Sequence, residues 1–181
     1  VLVISDEIHS DLVFRGTHIP TASLSPEVAA NVITCISATK TFNLAGLHAS
    51  VTVFPDQEKK RRFDQFWMSF DVHRNNVFSL VAMEAAWREG DAWLDQLLSY
   101  LDGTLHYIKA FLDEKIPEIK TFVPDATYLM WLDCRGLSMA QDDLVRFMID
   151  KAGLGLNSGH GFDPARSGFM RLNVACSRPV L

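Results

Sequence analysis

The chain opens on a continuous β-branched and apolar run, Val1-Leu2-Val3-Ile4-Ser5, that closes on the charged cluster Asp6-Glu7-Ile8-His9-Ser10-Asp11. That is the pattern of a strand buried on both faces. Because the chain starts inside this strand, the strand needs neighbours that the sequence does not contain, and the chain is expected to be a piece of a longer protein. Ser25-Pro26-Glu27 predicts a helix start, with Ser25 as N-cap and Pro26 at the first helical position. The short helix yields to a second apolar run, Val32 to Ile36, and a third strand is predicted over Ser50 to Phe54, closed by Pro55. Strand, helix, strand is the order of an α/β fold.

Beyond residue 55 the period changes. Phe63, Phe66, Trp67 and Phe70 recur at helical spacing, as do Phe78, Val81, Ala82, Ala85 and Ala86 between Asn76 and Arg88. The aromatic stripe is expected to be core or domain interface. A long amphipathic helix carries Leu94, Leu97, Leu98, Leu101, Leu105, Ile108, Phe111 and Leu112 until Pro117 stops it. Ile119–Val123 and Thr127–Leu132 read as strands about the turn Pro124-Asp125. Ser138-Met139-Ala140-Gln141 reads as a capping box opening a helix that ends near Gly153, and Phe169 to Ala175 is a last strand after a Gly-rich loop. Residues from about 91 onward therefore form an α+β domain of their own.

Composition removes several classes of function. Of 181 residues, 48% are hydrophobic and 22% charged, which excludes a disordered chain. With 17 Lys+Arg against 22 Asp+Glu the net charge is -5, so neither nucleic acid nor an anionic membrane is an expected partner. No apolar run is long enough to span a bilayer and no signal-peptide pattern opens the chain, so a cytoplasmic location is expected. Cys35, Cys134 and Cys176 are odd in number and widely spaced, predicting reduced thiols rather than disulfides, and the six histidines show no metal-ligand spacing. The basic run Lys59-Lys60-Arg61-Arg62 lies on a helix start in an acidic chain and reads as a solvated face.

The candidate chemistry lies in Ser37-Ala38-Thr39-Lys40-Thr41-Phe42-Asn43-Leu44-Ala45-Gly46, where one lysine follows a buried strand among hydroxyls and small residues. Ligand sites of open α/β sheets lie at such carboxyl strand ends. A partly desolvated lysine there suits a Schiff base, although the same lysine also reads as a surface loop residue. Ser37 to Lys40 spells the S-x-x-K signature of serine acyl-enzymes, but neither S-D-N nor K-T-G follows. Asp6, at the end of the first strand, would face the same crevice and could pair with a protonated pyridine nitrogen; alone, it also reads as a turn cap. The loop Asn157-Ser158-Gly159-His160-Gly161 has no following helix and is not a phosphate loop.

The order Asp6-Glu7-Ile8-His9, then Ser37 to Gly46, then Arg171-Leu172-Asn173 resembles the fold-type I pyridoxal-phosphate enzymes of aminotransferase class I/II. Within that superfamily it is most similar to the cystathionine β-lyase or cysteine-S-conjugate β-lyase (MalY/PatB-like) branch, across essentially the whole chain. The resemblance implies an α/β PLP-dependent transferase fold: residues 1–90 would be the C-terminal part of the large cofactor domain, with its mainly parallel sheet and connecting helices, and 91–181 an α+β small domain, incomplete at its end. It implies pyridoxal 5'-phosphate as cofactor and matches Lys40 to the lysine that holds it covalently and later moves the α-proton. Asp6 matches the partner of the pyridine nitrogen, Ile8 would pack on the ring, and His9 stands where many aminotransferases have a tyrosine near the 3-oxygen. Alone, His9 reads as a strand-end histidine. Ser37 and Thr39 match phosphate ligands. His48 replaces the arginine that aminotransferases usually place on the phosphate, a departure shared with the lyase branch.

Arg171 matches the arginine that grips the substrate α-carboxylate, a bidentate geometry that lysine cannot copy, and alone is an ordinary strand arginine. The Gly-rich loop would border the substrate entrance. The activity implied is cleavage of cystathionine or a related cysteine S-conjugate to a thiol, pyruvate and ammonia, with an amino-acid substrate and a homodimer. Transamination to a 2-oxo acid is the alternative, and a non-catalytic interaction domain a further one. Family members are about twice as long, so these residues alone would hold an incomplete, inactive site.

Overall fold

A computed structural model describes residues 1–72 and 75–181. The chain divides into two compact units, Val1–Gln96 and Leu97–Leu181.

In the first unit, β1 (Val3–Asp6) runs parallel to β2 (Val32–Ile36), and β3 (Val51–Val53) pairs antiparallel with β2, giving the sheet order β1-β2-β3. The crossover between the parallel strands contains α1 (Pro26–Ala29), whose N-cap Ser25 accepts from the Val28 N–H at 3.1 Å. β1 departs from its expected burial on both faces. It is an edge strand with β2 as its partner, and Ile4 is 71% exposed. β3 is followed by α2 (Gln57–Ser69), capped by Asp56, and α3 (Val77–Glu89), capped by Asn76. The basic run on α2 is a solvated face as expected: Lys59 pairs with Asp56, Lys60 with Asp64, and Arg61 and Arg62 with Glu58. The aromatic stripe is not core. Phe63, Phe66, Trp67 and Phe70 are exposed, and their rings pack on one another along the helix.

Helix α4 (Asp91–Lys115) carries residues of both units, and within the second it buries Leu101, Thr104, Leu105, Ile108 and Leu112. The second sheet has the order β4-β6-β5, all antiparallel, from β4 (Leu129–Asp133), β5 (Asn157–Ser158) and β6 (Phe169–Asn173). Alternation along the strands divides its faces. Met130, Leu132 and Met170 are buried, and with Leu144 and Met148 of α5 (Gln141–Asp150) they belong to the unit's core. Trp131 and Arg171 lie opposite each other on the other face.

Two expectations are corrected here. Ile119–Val123 is not a strand: Lys120 alone bridges to Asp133, and the Thr121 hydroxyl donates to the Trp131 carbonyl at 2.7 Å in place of a backbone ladder. Nor does Ser138 cap α5. It sits in the left-handed region at φ 54°, the N-cap is Ala140, and Gln141 is buried with its amide committed elsewhere.

Candidate functional site

The first cluster is built at the carboxyl ends of β1 and β2. Their parallel register sets Asp6 beside Cys35, and the Glu7 N–H donates to the Cys35 carbonyl at 2.8 Å. Asp6 therefore stands two residues from Ser37 along the neighbouring strand, where the Ser37–Gly46 loop begins. The Asp6 side chain is exposed; its Oδ1 accepts from the Ile8 N–H at 3.2 Å. Ile8 and His9 follow, both half-buried, in a turn closed by the Ser10 N–H on the Glu7 carbonyl and the Leu12 N–H on the His9 carbonyl.

Glu7, beside Asp6, has the opposite environment. It is 8% exposed, and its carboxylate accepts from Ser5 Oγ at 2.9 Å, the Thr21 N–H at 2.9 Å and His18 Nε2 at 2.8 Å. Burial pushes its carboxyl up, but the hydrogen bonds from His18, Thr21 and Ser5 outweigh that and hold it below its ordinary value of 4.5. Sequence reasoning missed this group; nothing in Asp6-Glu7 tells which carboxylate turns inward.

The Lys40 loop is held from below by its neighbours. Ser37 and Thr39 are buried at 4% and 7% exposure. Ser37 Oγ accepts from the Thr39 N–H at 3.0 Å, and its one proton serves either Thr39 Oγ1 at 2.8 Å or the Ala49 carbonyl at 2.6 Å. Thr41 Oγ1 donates to Asp11 Oδ2 at 3.0 Å. The Phe42 ring stacks on Trp93 with centroids 5.5 Å apart and presses on Gly90, where a Cβ would stand 2.3 Å from Phe42 Cε1. Ser79 Oγ, on α3, donates to the Leu47 carbonyl at 2.6 Å. Among all these fixed groups the Lys40 side chain is exposed and has no hydrogen-bond or ion-pair partner among the described residues. His48 is also exposed and takes the left-handed conformation, φ 52°, at the end of the turn Ala45–Leu47.

Arg171 belongs to the second unit. On the central strand β6 its register partners are Trp131 of β4 and Asn157 of β5. Its Nη2 donates to Asn157 Oδ1 at 3.0 Å, and its guanidinium lies over the Phe162 ring, 4.6 Å from the centroid. Phe162 meets Trp131 edge-on at 5.5 Å, Trp131 stacks on Phe169 at 5.9 Å, and Arg135 covers Phe169 at 4.9 Å. Tyr128 is raised by burial, against which the Arg171 charge acts. A buried amide organises the region. Gln141 Nε2 donates to Ser158 Oγ at 2.8 Å and the Phe169 carbonyl at 3.0 Å, and Oε1 accepts from the Gly168 N–H at 2.7 Å. The structure thus places Asp6, Ile8 and His9 at and after the carboxyl end of β1, Ser37, Thr39, Lys40 and His48 in the connection that leaves the carboxyl end of β2, all in the first unit, and Arg171 on β6 of the second.

An exposed carboxylate at the end of β1 and an exposed amine in the loop after β2 lie on the side of an α/β sheet where ligand sites are found. The chain belongs to the aminotransferase class I and II family, whose model matches residues 1–180. It is 40% identical over 182 residues to cystathionine beta-lyase PatB of Bacillus subtilis (strain 168), covering 100% of this chain and 47% of that protein. Among solved structures, a PLP-bound protein from Clostridium difficile 630 matches with a TM-score of 0.96 and 40% identity over 99% of this chain and 46% of that one. Cystalysin from Treponema denticola, which contains pyridoxal 5'-phosphate, matches with a TM-score of 0.93 and 31% identity over 97% and 45%. The chain spans about half the length of the relatives it matches.

Proposed function

We propose that the protein is a pyridoxal 5'-phosphate-dependent C–S β-lyase that cleaves cystathionine or a related cysteine S-conjugate, with water, to a thiol, pyruvate and ammonia. The observation that carries this reading is that two exposed groups, Asp6 at the carboxyl end of β1 and Lys40 in the loop that follows the parallel strand β2, lie in segments leaving the same end of the sheet, in a chain similar to a cystathionine beta-lyase.

The donor set fits the cofactor. An anionic carboxylate suits a protonated ring nitrogen, a primary amine suits an aldehyde, and hydroxyls suit a phosphate. When bound, the cofactor supplies an electron sink for negative charge at the substrate Cα. Asp6 would keep the ring nitrogen protonated, Ile8 would cover one ring face, and His9 would stand near the 3-oxygen. Ser37, Thr39 and His48 would hold the phosphate. Lys40 would carry the cofactor covalently and, once displaced by the substrate amine, take the proton from Cα with its Nζ. Arg171 would bind the substrate α-carboxylate through two parallel N–H donors. Residues 1–90 would then be the end of the large cofactor domain and 91–181 the small domain, in a cytoplasmic homodimer. Among the described residues no helix is long and apolar enough to cross a membrane.

The same residues serve transamination, so product analysis separates the two reactions. The protein that carries this chain, loaded with cofactor and given cystathionine, is expected to release pyruvate without any added 2-oxo acid. Pyruvate or another keto product appearing only when a 2-oxo acid is supplied would overturn the lyase reading in favour of an aminotransferase.

A further inference from the structure

We propose that Asn157 and Phe162 are positioning residues that fix the Arg171 guanidinium for end-on capture of a carboxylate. The proposal rests on the reading of Arg171 as the carboxylate-binding residue and adds what holds it.

Two of the three nitrogens of the guanidinium are already accounted for. Nη2 donates to Asn157 Oδ1 at 3.0 Å. Nε is buried and without a partner among the described residues, so no carboxylate reaches the Nε edge. The end formed by Nη1 and the second Nη2 proton is what remains for a carboxylate. The plane of the group is set by the Phe162 ring, 4.6 Å from the guanidinium carbon.

Both positioning groups are themselves anchored. Asn157 is the register partner of Arg171 across β5 and β6, which puts both side chains on one face. Its neighbour Ser158 is tied to Gln141, and the next residue, Gly159, lies so close to β6 that a Cβ would be 2.8 Å from the Phe169 carbonyl oxygen. Phe162 is braced edge-on by Trp131, 5.5 Å away. An unrestrained arginine loses much side-chain freedom when it clasps a carboxylate, and a guanidinium held in advance by an amide and a ring has already lost it.

The test compares an acid with its ester. L-alanine, which has no β leaving group, and L-alanine methyl ester are titrated into the cofactor-loaded protein, with Kd read from the cofactor absorbance. In Asn157→Ala the Kd for L-alanine is expected to rise about three- to tenfold, the scale of one re-mobilised side chain, with the ester shifting less than about twofold. Phe162→Leu is expected to act in the same direction, and it tests the ring separately. If Asn157→Ala and Phe162→Leu leave the acid-to-ester affinity ratio at the wild-type value, or weaken acid and ester equally, the positioning role is overturned. Arg171→Ala separates this from the underlying reading. Loss of acid selectivity in Arg171→Ala but not in the other two variants removes only the positioning role, whereas no loss in Arg171→Ala removes the carboxylate-binding assignment itself.

Discussion

Asp6 and Glu7 are adjacent carboxylates with opposite environments: Asp6, the last residue of β1, is exposed, and Glu7, just past the strand, is buried in a cage of Ser5, His18 and Thr21. The folded Glu7 carboxyl lies below 4.5, so its ionised form stabilises the fold above that pH, and the contribution is lost as pH falls through the lowered value. Glu7→Gln is expected to cost about 1–3 kcal/mol at pH 7, because it leaves buried donors poorly paired. It is also expected to flatten the loss of stability below pH 4.5, as measured by urea unfolding across pH. Cys134 is a second residue whose chemistry is set by burial, helped by Asp133, which together push its thiol up to about 11. At pH 8 its thiolate fraction is then on the order of 10⁻³. Iodoacetamide followed by peptide mapping is expected to leave Cys134 unmodified in the native protein and to label it after unfolding. Asp6, Lys40 and Arg171 were legible as candidates through the order of the motifs that carry them and the family resemblance of that order; alone, each also had a plain structural reading. Glu7, Asn157 and Phe162 were not, since their roles depend on turns and register that only the folded chain sets.

At the scale of elements, helices declared themselves through period, and α1 through its cap; the caps of α2 and α3 are seen only in the folded chain. Ser25, Asp56 and Asn76 each accept from the first-turn N–H groups of the helix they open. The weaker signals were those that local chemistry could satisfy in two ways. Ser138 to Gln141 has the spacing of a capping box, yet Gln141 is worth more buried, where one amide joins Ser158, Gly168 and Phe169 and so ties α5 to β5 and β6. The two-residue β5 was hidden inside a Gly-rich loop for the same reason: its pairing with β6 depends on that amide and on Gly159 lying flat against Phe169. Gln141→Leu keeps the volume and removes every one of these bonds. It is expected to destabilise the second unit by about 2–4 kcal/mol, from the Gly168 N–H and Phe169 carbonyl left unpaired, with thermal unfolding as the measurement.

For the whole molecule, the strand-helix-strand order of the first half and a distinct α+β region in the second follow from the succession of short apolar runs and helical periods. Burial did not. The exposed edge strand β1 and the exposed aromatic ridge on α2 carry the hydrophobic pattern of covered elements, because composition encodes that a surface is apolar and not what lies on it. The central claim concerns one nitrogen, Lys40 Nζ, left without a partner among the described residues in a loop where Ser37, Thr39, Thr41 and Phe42 are bonded or packed. The most direct measurement is the mass of the protein that carries this chain before and after borohydride reduction, with peptide mapping of the product. A phosphopyridoxyl group fixed on the peptide containing Lys40, and lost in Lys40→Ala, is the predicted result. No adduct, or an adduct on a different lysine, would contradict the account.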